Sequence, residues 1–308
     1  MVPLHIDIYL VLGSAVVGLL VGMTGMGGGA LMTPMLVLVF GVAPSAAISS
    51  DLVAALFMKP AGVVIHWQAK TVQTKIVKYL CYGSVPAAFA GTFAMHLMGE
   101  SVDAERTLQV LLGLALVLGA SAMIFRGLLL KQRKATTDVL AIRKWPTILV
   151  GVVGGFMVGL TSIGAGSLIL VFLLALYPTI RTDQLVGTDL AQSVPLTLGA
   201  TAGTLLFGHV AFALTTSIII GSVPAVIIGS LISSRSSNHL MRPIITGVVM
   251  LSGLKYLGLP TTALGIAVFP VMLIVAAIIV RTRSAAVPET MLSASAVRRQ
   301  FEALDPLS

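Results

Sequence analysis

The stretch VGMTGMGGGALMTP, residues 21–34, decides how the rest of the chain is read. It lies inside an apolar run yet holds Gly22, Gly25, Gly27, Gly28 and Gly29. Each glycine costs a regular helix roughly 1 kcal/mol against alanine, so the cluster predicts a break. Hydrocarbon cannot satisfy the backbone groups that a break frees. A break therefore persists only where protein buries it or where it lines a cavity. The cluster is either a close-packing device or a binding site.

The stretch has an echo. Residues 158–171 read VGLTSIGAGSLILV, and one constant offset places Gly22 on Gly159, Thr24 on Thr161, Gly27 on Gly164 and Gly29 on Gly166. SSDLVAA at 49–55 answers GTDLAQS at 187–193, and GSVPAAFAG at 83–91 answers GSVPAVIIG at 221–229. Matches in the same order point to an internal duplication. Two broken segments in corresponding halves of a hydrophobic chain are the pattern expected at the binding site of a secondary transporter.

Apolar residues are 57% of the chain, charged ones 10%, and the mean hydropathy is +1.03, values that fit a membrane protein better than a soluble domain. Several apolar runs approach the ~20 residues that span a bilayer. The expected class is an all-α, polytopic membrane protein. Sustained period-two alternation, the mark of a β-barrel, is missing. The net charge of +8 does not call for a nucleic-acid partner, because the Lys and Arg residues sit between apolar runs, where cytoplasmic loops carry them. A single cysteine, Cys81, rules out an intramolecular disulfide and a multi-Cys metal site. The first residues lack a basic leader and a cleavage site, so the first run reads as a retained segment.

Organisation follows from the runs. A broken block over residues 8–40 fits a helical hairpin with the glycines at its tip, followed by spans at 47–65, 79–97 and 108–125. The order then repeats: a broken block at 148–177 and spans at 185–207, 212–232 and 244–257. Residues 1–130 form the first repeat, 131–145 a cytoplasmic linker, 146–258 the second repeat, 259–281 a final helix without counterpart, and 282–308 a cytoplasmic tail. Loop charges place the Lys70–Lys78 loop, the linker and the tail inside, and the Glu100 loop outside. The two broken blocks then enter from opposite sides, as two inverted-topology repeats.

Each break ends one helix and starts another, and a helix N-terminus suits an anion. The candidate substrate-binding set is Thr24, Gly25, Gly27, Gly28, Gly29, Thr161, Ser162, Gly164, Gly166 and Ser167, with hydroxyls adding donors to the backbone N–H groups. The alternative is that small residues simply let helices pack closely. Lys59, inside the apolar segment FMKPAG, joins the set, because an ammonium within a span is costly and commonly functional. Its plainer reading is snorkelling, or pairing with Asp51. Asp51 and Asp189 occupy matching positions near the starts of spans, where an Asp can cap a helix; a proton-relay role comes second. Gln192 reads as polar glue or site lining. His66 and His209 close their spans and lack the neighbours a metal site needs. Neither a metal nor a cofactor is expected.

These motifs resemble the TauE/SafE family of membrane permeases. The carrying residues are GLLVGMTGMGGGALMTP with its echo GFMVGLTSIGAGSLIL, the segment SSDLVAALFMKPAGVVIH, and GTDLAQS followed by Gly208–His209. The resemblance covers roughly residues 12–257. It implies export of small sulfur-containing or organic anions such as sulfite and sulfonates. Lys59 and His66 fall where a subset of the family carries K and H, whereas Thr197 stands near the Lys position in the second half. The expectation is a multi-pass secondary transporter of the cytoplasmic membrane, an exporter of a small anion, working alone or as a homo-oligomer. A passive anion channel is the runner-up. An intramembrane hydrolase using Ser167 and His209 ranks third, and no enzyme activity is expected.

Overall fold

The computed structural model describes residues 7–24, 28–68, 70–99, 101–131, 142–164, 168–208, 210–235, 241–260 and 262–263. The expected final span, the tail and most of the linker lie outside these residues. The described elements are all helical: α1 (Ile8–Thr24), α2 (Gly29–Leu38), α3 (Pro44–Gln68), α4 (Thr74–Met98), α5 (Val102–Lys131), α6 (Lys144–Thr161), α7 (Leu168–Leu176), α8 (Thr182–Phe207), α9 (Phe212–Arg235) and α10 (Met241–Tyr256). Segments of four of them, in α5, α6, α8 and α9, are long and apolar enough to cross a membrane. α3 and α4 have 25 residues each and match that length, but they carry Asp51 and Lys59, or Lys75, Lys78 and His96. The chain is a multi-pass helical membrane protein.

Both glycine-rich blocks break where the sequence predicts, between α1 and α2 and between α6 and α7. Each block then turns back on itself. A Cβ on Gly13 of α1 would lie 3.1 Å from the sulfur of Met35 and from the ring of Phe40, at the far end of α2. In the second block, Tyr177 Oη lies 2.6 Å from Thr147 Oγ1 and accepts a hydrogen bond from the Arg143 backbone at 3.1 Å. Phe40 and Tyr177 are equivalent under the repeat offset, and each closes its hairpin beside its own start. With 10 and 9 residues, α2 and α7 are only about 15 Å long or less, half the ~30 Å of a hydrocarbon core.

Close backbone approach joins the halves. α1 packs on α9 and α6 packs on α4, and the repeat offset exchanges these two pairs. A Cβ on Gly22 would run into the Val226 carbonyl, and one on Gly229 into the Leu19 carbonyl. In the other pair, Gly159 lies against Ala88, Gly155 against Ser84 and Gly151 against Leu80, each backbone to backbone. The GSVP repeats at 83–86 and 221–224 supply the opposite faces: Gly83 meets Ile148, and Gly221 meets Val11. Small residues four apart on one face allow this proximity where lipid gives no hydrophobic drive to pack.

α3 and α8 cross at the centre, and α5 packs on α10. The crossing is tied by Thr201 Oγ1 donating to the Leu52 carbonyl at 3.1 Å. The start of α3 is held to α5 by Glu105, which accepts from both the backbone N–H (3.2 Å) and the hydroxyl of Ser45. α3 begins at Pro44, earlier than the apolar run suggests, because proline suits the first turn of a helix.

The glycine faces generate a stability prediction. Gly155→Val should lower the thermal midpoint of the detergent-solubilised protein by the equivalent of about 1–3 kcal/mol, the usual cost of overpacking. Gly41→Val adds its side chain where nothing lies within 4 Å of a Cβ, so any cost there comes from its φ of +66° alone. Differential scanning fluorimetry on both variants separates packing from backbone strain.

Candidate functional site

The site is built on the tips of the two hairpins and the crossing of α3 with α8. Asp51, fully buried, is the link between them. Its Oδ2 accepts a hydrogen bond from Thr33 Oγ1 of α2 at 3.0 Å and from Ser162 Oγ at 2.7 Å. Ser162 belongs to the second break, so one carboxylate of the first half ties both broken blocks together. Asp51 lies two turns inside α3 and therefore does not cap its own helix, contrary to the capping reading. Asp189 likewise lies two turns inside α8 and is 2% exposed.

Each break is shaped by specific residues. α6 ends at Thr161, and Ser162 adopts the left-handed conformation (φ 57°) with its N–H donating to the Val158 carbonyl at 2.7 Å. Gly164 has φ 134°, a region that side-chain-bearing residues rarely enter, so glycine is required there by the backbone. Thr24 and Thr161, equivalent under the offset, donate to the carbonyls four residues back, Leu20 and Met157, each at 2.7 Å. Their protons close the ends of α1 and α6.

The glycines divide by role. Gly29 packs directly on Ser162, where a Cβ would collide with the carbonyl oxygen. Gly28 has helical torsions (φ −67°, ψ −40°), and a Cβ there would touch Met58 Cε at 3.4 Å and Asp51 Oδ1 at 3.6 Å, ordinary contact distances. Gly25, Gly27, Gly166, Ser167 and His209 lie outside the described residues, and the side chain of His66 is not described.

Lys59 is half-buried on α3 and donates to Thr197 Oγ1 of α8 at 2.5 Å. Thr197 is the residue that stands at the Lys position in the second half. Lys59 lies within electrostatic range of both Asp51 and Asp189. Gln192 is fully buried and donates from Nε2 to Ser84 Oγ of α4 at 2.7 Å. Thr188 Oγ1 accepts from the Gln73 backbone at 3.0 Å, where α4 begins. Among the described residues no cluster of His, Cys, Asp and Glu could hold a metal.

Thr33 and Ser84 carry hydrogen bonds of this site that the sequence reading did not assign. Thr33 lies four residues past the glycine cluster, in an apolar run, with nothing local to say that it faces another helix. Ser84 had a signal, as part of the duplicated GSVP segment opposite α6.

Comparison with known proteins places the sequence in a family. A family model described as "Sulfite exporter TauE/SafE" matches residues 10–256, both broken blocks included. The chain is similar to "Probable membrane transporter protein YjnA" of Bacillus subtilis (strain 168), 39% identical over 253 residues, covering 81% of this chain and 99% of the relative. It is also similar to "Probable membrane transporter protein YdhB" of the same organism, 21% identical over 237 residues, covering 76% and 92%. No solved structure gives a significant match.

The two tip glycines should respond oppositely to the same substitution. Gly29→Ala drives a methyl into the Ser162 carbonyl and should cost about 1–3 kcal/mol in thermal stability. Gly28→Ala meets only ordinary contacts and should fold within about 0.5 kcal/mol of wild type. Paired melting curves in one detergent check this.

Proposed function

The chain belongs to the sulfite exporter TauE/SafE family and is a membrane transporter; from that premise, we propose that it is a secondary transporter of a small anion. The substrate class is a sulfur oxyanion, sulfonate or small carboxylate, held between the two hairpin tips and Lys59. The observation that carries this reading is Lys59 itself. Its ammonium lies in the central crossing and hydrogen-bonds a neutral hydroxyl, Thr197. A costly intramembrane cation whose hydrogen bond goes to a neutral hydroxyl, with Asp51 and Asp189 at electrostatic range only, is suited to an anion that comes and goes. The helix N-terminus of α2 at the first tip adds backbone donors around the same region.

The architecture we propose is an inverted pair of repeats in the cytoplasmic membrane. Parallel packing of α1 with α9 and of α4 with α6 supports it. Along α1, Val11 and Leu19 meet Gly221 and Gly229 in the same order, and along α6, Ile148 and Phe156 meet Gly83 and Gly91. Following the chain through α3, α4 and α5 then brings the second hairpin in from the face opposite the first. Tips that meet from opposite faces around one anion give a carrier a way to open alternately. A passive channel has no need of that duplication.

Two measurements test the reading. Proteoliposomes are assayed for counterflow and accumulation with sulfite, thiosulfate, sulfoacetate and acetate as probes. Accumulation against a gradient supports a carrier, whereas purely dissipative flux of every conducted anion assigns a channel. Lys59→Met should reduce transport at least ten-fold with expression unchanged, and Lys59→Arg should recover only part of it, because guanidinium is wider and planar. Normal transport by Lys59→Met removes the lysine from the site. For topology, single cysteines at Ser101 and Thr74, on a Cys81→Ser background, should label from opposite sides of the membrane; labelling from one side defeats the inverted arrangement.

A further inference from the structure

The anion site holds a buried carboxylate that points to a second ligand. Asp51 is fully buried and lies within electrostatic range of Lys59. Ionised, Asp51 opposes the anion that Lys59 attracts. Asp51 also has two unequal oxygens. Oδ2 accepts from Thr33 and Ser162, while Oδ1 is buried without a hydrogen-bond partner among the described residues. An ionised oxygen buried without a hydrogen bond is among the costliest groups a protein can hold.

Gly28 faces that same oxygen. Its torsions need no glycine, and a methyl there would make ordinary contacts with Met58 and Asp51 Oδ1. Neither conformation nor packing accounts for a glycine at this position. What its lack of a side chain does provide is access to Oδ1 at the tip of the first hairpin.

We propose that Asp51 Oδ1 is the proton-binding group of the transport site, so that a proton and the anion occupy the centre together. This rests on the anion-transporter reading and adds its coupling partner. An O–H bond forms at Oδ1 with a proton from water on the open side, and it breaks to water on the other side. Protonation removes one negative charge and leaves Lys59 free to hold the anion. With a singly charged anion the pair moves no net charge. The groups facing Asp51 fit this role. α2 and the second break contribute the Thr33 and Ser162 hydroxyls. α9 bears no charge before Arg235 at its end, α5 brings Glu105 to Ser45 at the start of α3, and Lys59 on α3 is the charge that acts on Asp51, with Asp189 of α8 in electrostatic range of Lys59.

The test is pH-difference infrared spectroscopy on the full chain reconstituted in lipid, which needs no substrate. Acidification should produce a protonated-carboxyl C=O band in wild type that Asp51→Asn lacks and Asp189→Asn keeps. Ser162→Ala should shift the band without removing it, because the Ser162 hydroxyl bonds the same carboxyl. An Asp51→Asn spectrum identical to wild type overturns the proposal, as does loss of the band in Asp189→Asn alone. A parallel arm loads the vesicles with sulfite and a pH-sensitive dye. Wild type should couple sulfite movement to a pH change, and Asp51→Asn should not. Failure to move any probe anion counts against the anion reading, while the infrared result decides on Asp51 by itself.

Discussion

Backbone-to-backbone contact between α1 and α9, and between α4 and α6, is the constraint on which everything else rests. Inside a bilayer, apolar side chains gain little by leaving lipid for one another, so packing quality must hold helices together. Ser14, Gly18 and Gly22 on α1, and Gly151, Gly155 and Gly159 on α6, give those helices flat faces four residues apart. Each face carries a broken hairpin at its end. The hairpin tips reach the centre only because the long helix leading to each tip lies flush against the other half.

At the centre the bonding changes character from dispersion to hydrogen bonds between helices. Asp51 receives two hydroxyl donors from two different broken blocks, and Lys59 and Thr201 tie α3 to α8. Measured inter-helix hydrogen bonds in membranes average only about 0.6 kcal/mol each. Such bonds fix geometry more than they fix stability. On the proposed carrier reading, that suits a region whose partners change when a substrate binds, while the glycine faces stay intact as rigid bodies.

Much of this was legible in the residues. The duplicated glycine runs located both breaks, and the GSVP echo marked the duplication but not the faces on which the other half packs. The cluster did not announce how its glycines divide. Gly22 serves packing on α1, while beyond the break Gly29 meets Ser162 and Gly28 faces Asp51, because adjacent residues point different ways and a sequence does not display azimuth. Asp51 was read near a helix start because the apolar run begins at Ala47. The signal that α3 starts earlier was Pro44, whose fixed φ suits a first helical turn. Thr33 was hidden for another reason: a helical threonine usually bonds its own backbone, and only the fold brings a carboxylate from α3 within its reach.

The two halves have drifted apart at matched positions. Gln192 bonds Ser84, but Ala54 stands where Gln192 would be in the first half, and Ser222, the counterpart of Ser84, is buried without a hydrogen-bond partner among the described residues. Lys59 faces Thr197 rather than a second lysine. A molecule with true two-fold symmetry would trade its two hairpins' roles between states of equal energy. Here the trade is unequal, since Gln192 of α8 bonds α4 while no amide stands at the matched position of the first half. On the carrier reading proposed above, such a molecule idles with one mouth favoured over the other, and its forward and reverse half-cycles run at different speeds.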